Sequence, residues 1–217
     1  MNQLIQTIAV YALPVLFAIT LHEAAHGYVA RFFGDPTAQE AGRISINPIR
    51  HIDPMGTIVV PLVLLFVTKF MGGGLLFGWA KPVPVNWGRL RRPKQDMLWV
   101  ALAGPASNLL QAIAWVLLWR LLLLTGIVQT GGDFWSQMAY AGVQVNLILM
   151  ALNLVPLPPL DGGRIVFSLL PPRMAWQYGR IEPYGIVILI VLMMLGWLWP
   201  LMQPLLALGH WIVSGFL

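Results

Sequence analysis

His22-Glu23-Ala24-Ala25-His26 sets two imidazoles four residues apart with a carboxylate between them. On a helix, positions four apart share a face and lie roughly 6 Å apart along the axis. Two imidazoles so placed can grip one divalent metal, and the carboxylate can reach a metal-held water as general base. From Asn2 to Ala30 the one formally charged side chain is Glu23. A carboxylate and two imidazoles in a membrane-length apolar segment cost several kcal/mol unless something pairs with them. A metal would supply that pairing. The chain has no cysteine, so thiolate chemistry and cysteine-ligated zinc are excluded, and any metal must be held by the four His and eight acids.

A third ligand must come from elsewhere, and Asp161 is the best candidate. It follows Asn153-Leu154-Val155-Pro156-Leu157-Pro158-Pro159-Leu160 and precedes Gly162-Gly163-Arg164. The prolines end a helix and leave backbone carbonyls unpaired. The glycines permit a tight turn and close backbone approach. Two His and one Asp leave the fourth tetrahedral position open, as in a catalytic rather than a structural zinc site. Zinc lowers the pKa of its water toward ~7, and Glu23 would take the proton and pass it to a leaving amine. That is the chemistry of peptide-bond hydrolysis.

The elements that must position these groups are apolar. The chain is 58% hydrophobic and 10% charged, with a mean hydropathy of +0.75. An ordinary soluble domain carries about 25% charged residues, so the composition describes an all-α polytopic membrane protein, a single domain over residues 1–217. The net charge of +5 reads as membrane orientation, because no basic cluster with interleaved base-stacking aromatics is present. The basic run at residues 89–94 is expected to anchor at the interface. The N-terminus lacks the basic region of a cleavable signal.

Helix one is expected over residues 4–33 with a kink at Pro14. Residues 42–47 alternate polar and apolar side chains, which predicts a short strand. Residues 54–68 are uncharged but would span only about 22 Å as a helix, short of the ~30 Å hydrocarbon core. A re-entrant segment over residues 54–71 is therefore expected. Spanning helices are predicted at 97–119 and 134–160. Residues 183–217 should split near Pro200 and Pro204 into a spanning helix and an interfacial tail. With 54–71 re-entrant, Arg120 is the one basic residue on its side, and the positive-inside tendency puts the other twelve, with the metal site, toward the cytoplasm.

Blander readings exist for each feature. HExxH occurs by chance on soluble helices, and Asp161 alone could cap a turn. His51 and His210 read as interfacial polar residues. Residues 103–108, Ala-Gly-Pro-Ala-Ser-Asn, read as a kink with small residues for close packing. Trp79, Trp87 and Trp99 read as interface anchors. A proton-coupled transporter could also use intramembrane His and Glu, but here they converge on one point.

Taken together, HEAAH in a membrane helix, the 103–108 run, and Asn153…Pro156…Pro159-Leu160-Asp161-Gly162 resemble the site-2 protease family of intramembrane zinc metalloproteases. The likeness covers roughly residues 15–170, and residues 47–54 and 79–85 are similar to its short bacterial members. The resemblance implies a three-helix catalytic core (about residues 4–170) followed by C-terminal helices (about 183–217). It implies one Zn2+ per chain on His22, His26 and Asp161, and Glu23 as base. Asn153, and more weakly Asn108, match positions given a substrate-positioning or transition-state role. The substrates implied are transmembrane segments of other proteins, in a bacterial inner membrane, cut for signalling or remnant clearance. A catalytically silent segment binder is the alternative. No further membrane helix is expected ahead of the HExxH helix, and no PDZ or CBS domain. Absent those, an edge strand at 42–47, around Ile44 and Ile46, is expected to hold unwound substrate by β-augmentation.

Overall fold

The structure is a computed structural model and describes residues 2–48, 53, 81–128 and 132–216. The described residues form helices and their connections. Helix α1 (Asn2–Phe32) is one apolar run ending on Arg31, a favourable cation at the negative helix end. Pro14 lies inside it, where its ring removes one backbone hydrogen bond. A four-residue α2 (Thr37–Glu40) follows. Helix α3 (Pro93–Leu124) starts on a proline, whose missing N–H costs nothing in a first turn. The Arg92 N–H donates to the Asp96 carboxylate at 2.7 Å. Helix α4 (Phe134–Asn153) is capped by Asp133, which accepts the Ser136 N–H at 2.9 Å. That hydrogen bond holds the Asp133 carboxyl below its ordinary range.

Helices α1, α3 and α4 pack on one another as a three-helix unit. Four shorter helices follow: α5 (Asp161–Leu169), α6 (Pro172–Gly179), α7 (Gly185–Met194) and α8 (Leu198–Ser214). Helix α8 closes the main core, setting Met202, Leu206 and Val213 beside Val116 of α3 and Leu147 and Met150 of α4. His210 of α8 sits 3.3 Å from the Gln144 amide nitrogen of α4. The contact links two helices and leaves His210 exposed.

Ile5–Phe32 and Pro93–Leu124 are each long and apolar enough to cross a membrane. The stretch Pro172–Met194 and α8 form a third candidate, bent by 89°. Helix α4, at about 30 Å, has the length to span but less apolarity. Its Ser136, Ala141, Gly142 and Asn146 are buried, as suits an interior helix.

Several expectations need correction. The small β element at 42–47 is not present: no strand occurs among the described residues. Arg43 N–H closes back on the Ala38 carbonyl at 2.8 Å, and the Arg43 guanidinium donates to the Lys81 carbonyl at 2.7 Å. Ile44 instead packs against Gly27 of α1, a contact with a helix that needs no ladder partner. Helix α4 stops at Asn153, not at residue 160, and α3 is longer than predicted at both ends. The C-terminal break falls at residues 195–197, where Gly196 takes φ +71°. Pro200 instead sits in the first turn of α8 and Pro204 inside it. Trp87 is a packing residue, with the Arg164 guanidinium 5.5 Å above its ring. The expected re-entrant segment, His51 and Trp79 lie outside the described residues.

Candidate active site

The i, i+4 spacing on α1 brings His22 and His26 side by side, their Nε2 atoms 3.1 Å apart. Asp161, the first residue of α5, completes a triangle. Its Oδ2 lies 3.2 Å from His22 Nε2 and 3.3 Å from His26 Nε2. Ligand atoms about 2.0–2.2 Å from a tetrahedral zinc stand roughly 3.3 Å from one another, so the triangle has the right size.

The hydrogen-bond partners also suit a cation. His26 Nδ1 lies 2.7 Å from the Val100 carbonyl, which can only accept, so the Nδ1 carries the hydrogen. The Asn108 amide nitrogen donates to the Ala18 carbonyl at 3.1 Å and to Asn146 Oδ1 at 2.9 Å. Its Oδ1 is thereby turned to His22 Nδ1 at 2.6 Å, so that nitrogen also carries the hydrogen. In the neutral rings both Nε2 atoms then present lone pairs to each other and to a carboxylate oxygen. Asp161 Oδ2 is buried and has no hydrogen-bond donor. Three converging lone pairs with no proton between them fit a divalent metal, and His22, His26 and Asp161 form the metal-competent cluster among the described residues.

Behind His22 runs a buried polar chain that only the fold reveals. Asn108 and Asn146 are fully buried, and the Asn146 amide donates to the Gly142 carbonyl at 2.8 Å. Asn146 lies outside every motif read from the sequence; its one signal was an amide in the middle of an apolar helix. Asn108 has its amide committed to His22. Replacing Asn108 with Ala should lower zinc affinity about 10–100-fold, the usual cost of losing a partner behind a metal ligand. Competition with a chromogenic chelator measures this, and unchanged affinity would remove Asn108 from the site. Asn153 ends α4, its amide donating to the Leu149 carbonyl at 3.0 Å.

Two devices place Asp161. A Cβ on Gly162 would run into the carbonyls of Leu154 and Val155, so only glycine lets α5 start this close to the proline turn. Arg164 pairs with Glu182, and Lys94 of α3 donates to the Leu170 carbonyl, clamping α5 at both ends. On the other side, Gly104 of α3 faces both imidazoles. A Cβ there would lie 2.6 Å from His22 Nε2 and closer still to His26 Nε2.

Glu23 is partly buried and accepts the Val83 N–H at 2.7 Å. Residues 81–86 cross over it as an irregular strap. Asp35, fully buried, anchors the strap by accepting the Asn86 N–H at 2.6 Å and the Thr37 N–H at 3.0 Å. A backbone donor leaves no sequence signature, so neither this contact nor the role of Asp35 was legible beforehand.

A membrane-helix unit carrying a two-histidine, one-aspartate metal cluster defines a membrane zinc metalloprotease. Residues 124–196 match the profile of Peptidase family M50. The chain is 39% identical over 200 residues to "Putative zinc metalloprotease YwhC" of Bacillus subtilis, covering 88% of this chain and 84% of that protein. It is 29% identical over 184 residues to "Putative zinc metalloprotease Rip2" of Mycolicibacterium smegmatis, covering 82% of this chain and 64% of the relative. With Rip2 of Mycobacterium tuberculosis it shares 30% identity over 177 residues, again 82% of this chain and 63% of the relative. No solved structure matches. The chain belongs to the M50 peptidases, the site-2 protease family, and is an integral-membrane zinc metalloprotease.

Proposed function

We propose that this protease, acting as a single domain, hydrolyses peptide bonds within or near transmembrane segments of other membrane proteins. Its outcome would be release of a signalling domain or clearance of a remnant. The observation that carries the reading is the lone-pair triangle of His22, His26 and Asp161 set within α1, a helix of membrane-spanning length. These three side chains would hold zinc. The metal would supply Lewis-acid activation of water and of the scissile carbonyl.

Glu23 is the general base. Its Oε2 is held by the Val83 N–H, which leaves Oε1 to take the proton from water and deliver it to the departing amine. Asn108 and Asn146 keep His22 in the tautomer that turns Nε2 inward. Asn153, on the last turn of α4 before the proline break, would orient substrate backbone through its side-chain oxygen, since its amide nitrogen donates to the Leu149 carbonyl. The bacterial relatives favour the bacterial cell membrane, and the distribution of basic residues favours the site toward the cytoplasm.

The test is zinc content and cleavage of a generic transmembrane peptide by the detergent-solubilised protein. Near one zinc per chain is expected, with cleavage lost on chelation and restored by added zinc. Folded, zinc-loaded protein that cuts no transmembrane peptide would overturn the reading in favour of a segment binder.

A further inference from the structure

Between α1 and α3, on the side of Leu21 away from Arg31, lies a depression of about 190 Å3 lined by Phe17, Leu21, Gln111, Ala114, Trp115 and Leu118. Along both helices its lining begins close to the metal cluster in sequence: Leu21 precedes His22, and Gln111 is one turn beyond Asn108. Its lining is apolar apart from Gln111. Both the nitrogen and the oxygen of the Gln111 amide are buried without a hydrogen-bond partner. An unpaired carboxamide at membrane depth costs several kcal/mol. Among the described residues, the other buried side-chain atoms without a partner are Arg43 Nε and Asp161 Oδ2, the latter in the metal cluster, so this amide is the one side chain with both its donor and its acceptor unpaired.

The amide itself indicates which ligand. A carboxamide offers a donor and an acceptor side by side, the complement of a single peptide group. An intact transmembrane helix has no such group free, because its N–H and C=O are already bonded within the helix. A lipid chain has neither donor nor acceptor. An unwound segment of a membrane protein presents both. A cavity of about 150 Å3 lined by aliphatic and aromatic side chains admits a benzene-sized group, so this depression has room for one apolar side chain but not for a helix. Phe17 and Leu118, both 40% exposed, border it and can turn aside.

We propose that this depression is a substrate subsite. It takes one apolar side chain of an unwound transmembrane segment, while Gln111 pairs with the adjacent peptide group. The subsite would hold the substrate on the membrane-interior side of the scissile bond, and it rests on the protease reading above.

The experiment compares wild type, Gln111→Leu and Ala114→Phe on a synthetic Leu/Ala transmembrane peptide, with zinc content and Tm measured on each. Gln111→Leu removes the amide at nearly constant volume, and Ala114→Phe fills the depression from an exposed position. Both variants should raise KM about tenfold, the worth of one or two hydrogen bonds or one buried side chain. Because such binding acts equally on ground and transition states, kcat should stay within about twofold. Zinc should be unchanged, and the Tm of Gln111→Leu should be equal or higher, since an unpaired amide has been removed. Unchanged KM in Gln111→Leu, or a lowered Tm showing that the amide already has a structural partner, would overturn the inference while the protease stands. Zinc-loaded wild type that fails to cut the peptide would overturn both.

Discussion

Glu23→Gln is expected to lower turnover by about 10²–10⁴-fold, the usual contribution of general acid–base catalysis. The substitution keeps the shape of the side chain and an oxygen able to accept the Val83 N–H, so the strap over residues 81–86 should stay in place. It removes basicity alone. Zinc should remain near one per chain, because the lone-pair triangle is made by His22, His26 and Asp161. Single-turnover cleavage alongside metal analysis reads both quantities. Turnover within about tenfold of wild type would assign the proton to another group, since that loss lies below the range for a general base.

Gly104→Ala should abolish zinc binding and activity together, although alanine is the better helix former. The added methyl would sit 2.5 Å from His22 Cε1 and 2.6 Å from its Nε2, and nearer still to His26. These are rigid rings tethered from behind by Asn108 and by the Val100 carbonyl, so they cannot rotate away without breaking those bonds. Val100 and Asn108 themselves belong to α3, so a retreat of α3 from α1 pulls on the same bonds, and either response displaces the rings. A metal site tolerates displacements of about 0.2 Å in its ligand distances, whereas relieving this overlap takes several times that. The folding cost should be modest, about 1–3 kcal/mol as for other overpacked sites. The expected signature is a folded, helical, zinc-free protein. Full zinc occupancy in this variant would show that α3 does not press on the site as drawn.

The histidine pair and Asp161 could be read from the chain because the metal chemistry restricts both residue type and spacing. The three long helices were visible because apolar runs of that length have few other uses. Helix ends were less legible: α4 stops at Asn153, before the first proline, since Gly162 must fold back against the carbonyls of Leu154 and Val155. The supposed strand at 42–47 shows the limit of alternation as evidence. Ile44 is drawn inward by Gly27 and Val83, contacts between segments far apart in sequence. Asn146, Gln111 and the Val83 N–H belong to the same class. Their significance lies in which partner each has or lacks, and partners exist only once the chain has folded.

The contribution of Asp161 from α5 to a cluster begun on α1 has a consequence for synthesis. The ribosome delivers His22, Glu23 and His26 to the bilayer long before Asp161 has been translated. Two imidazoles without the carboxylate are an incomplete ligand set, and α5 cannot take its clamped position until Glu182 is available to pair with Arg164. On the reading proposed above, a nascent chain would therefore lack its third metal ligand until nearly the whole catalytic unit has been made.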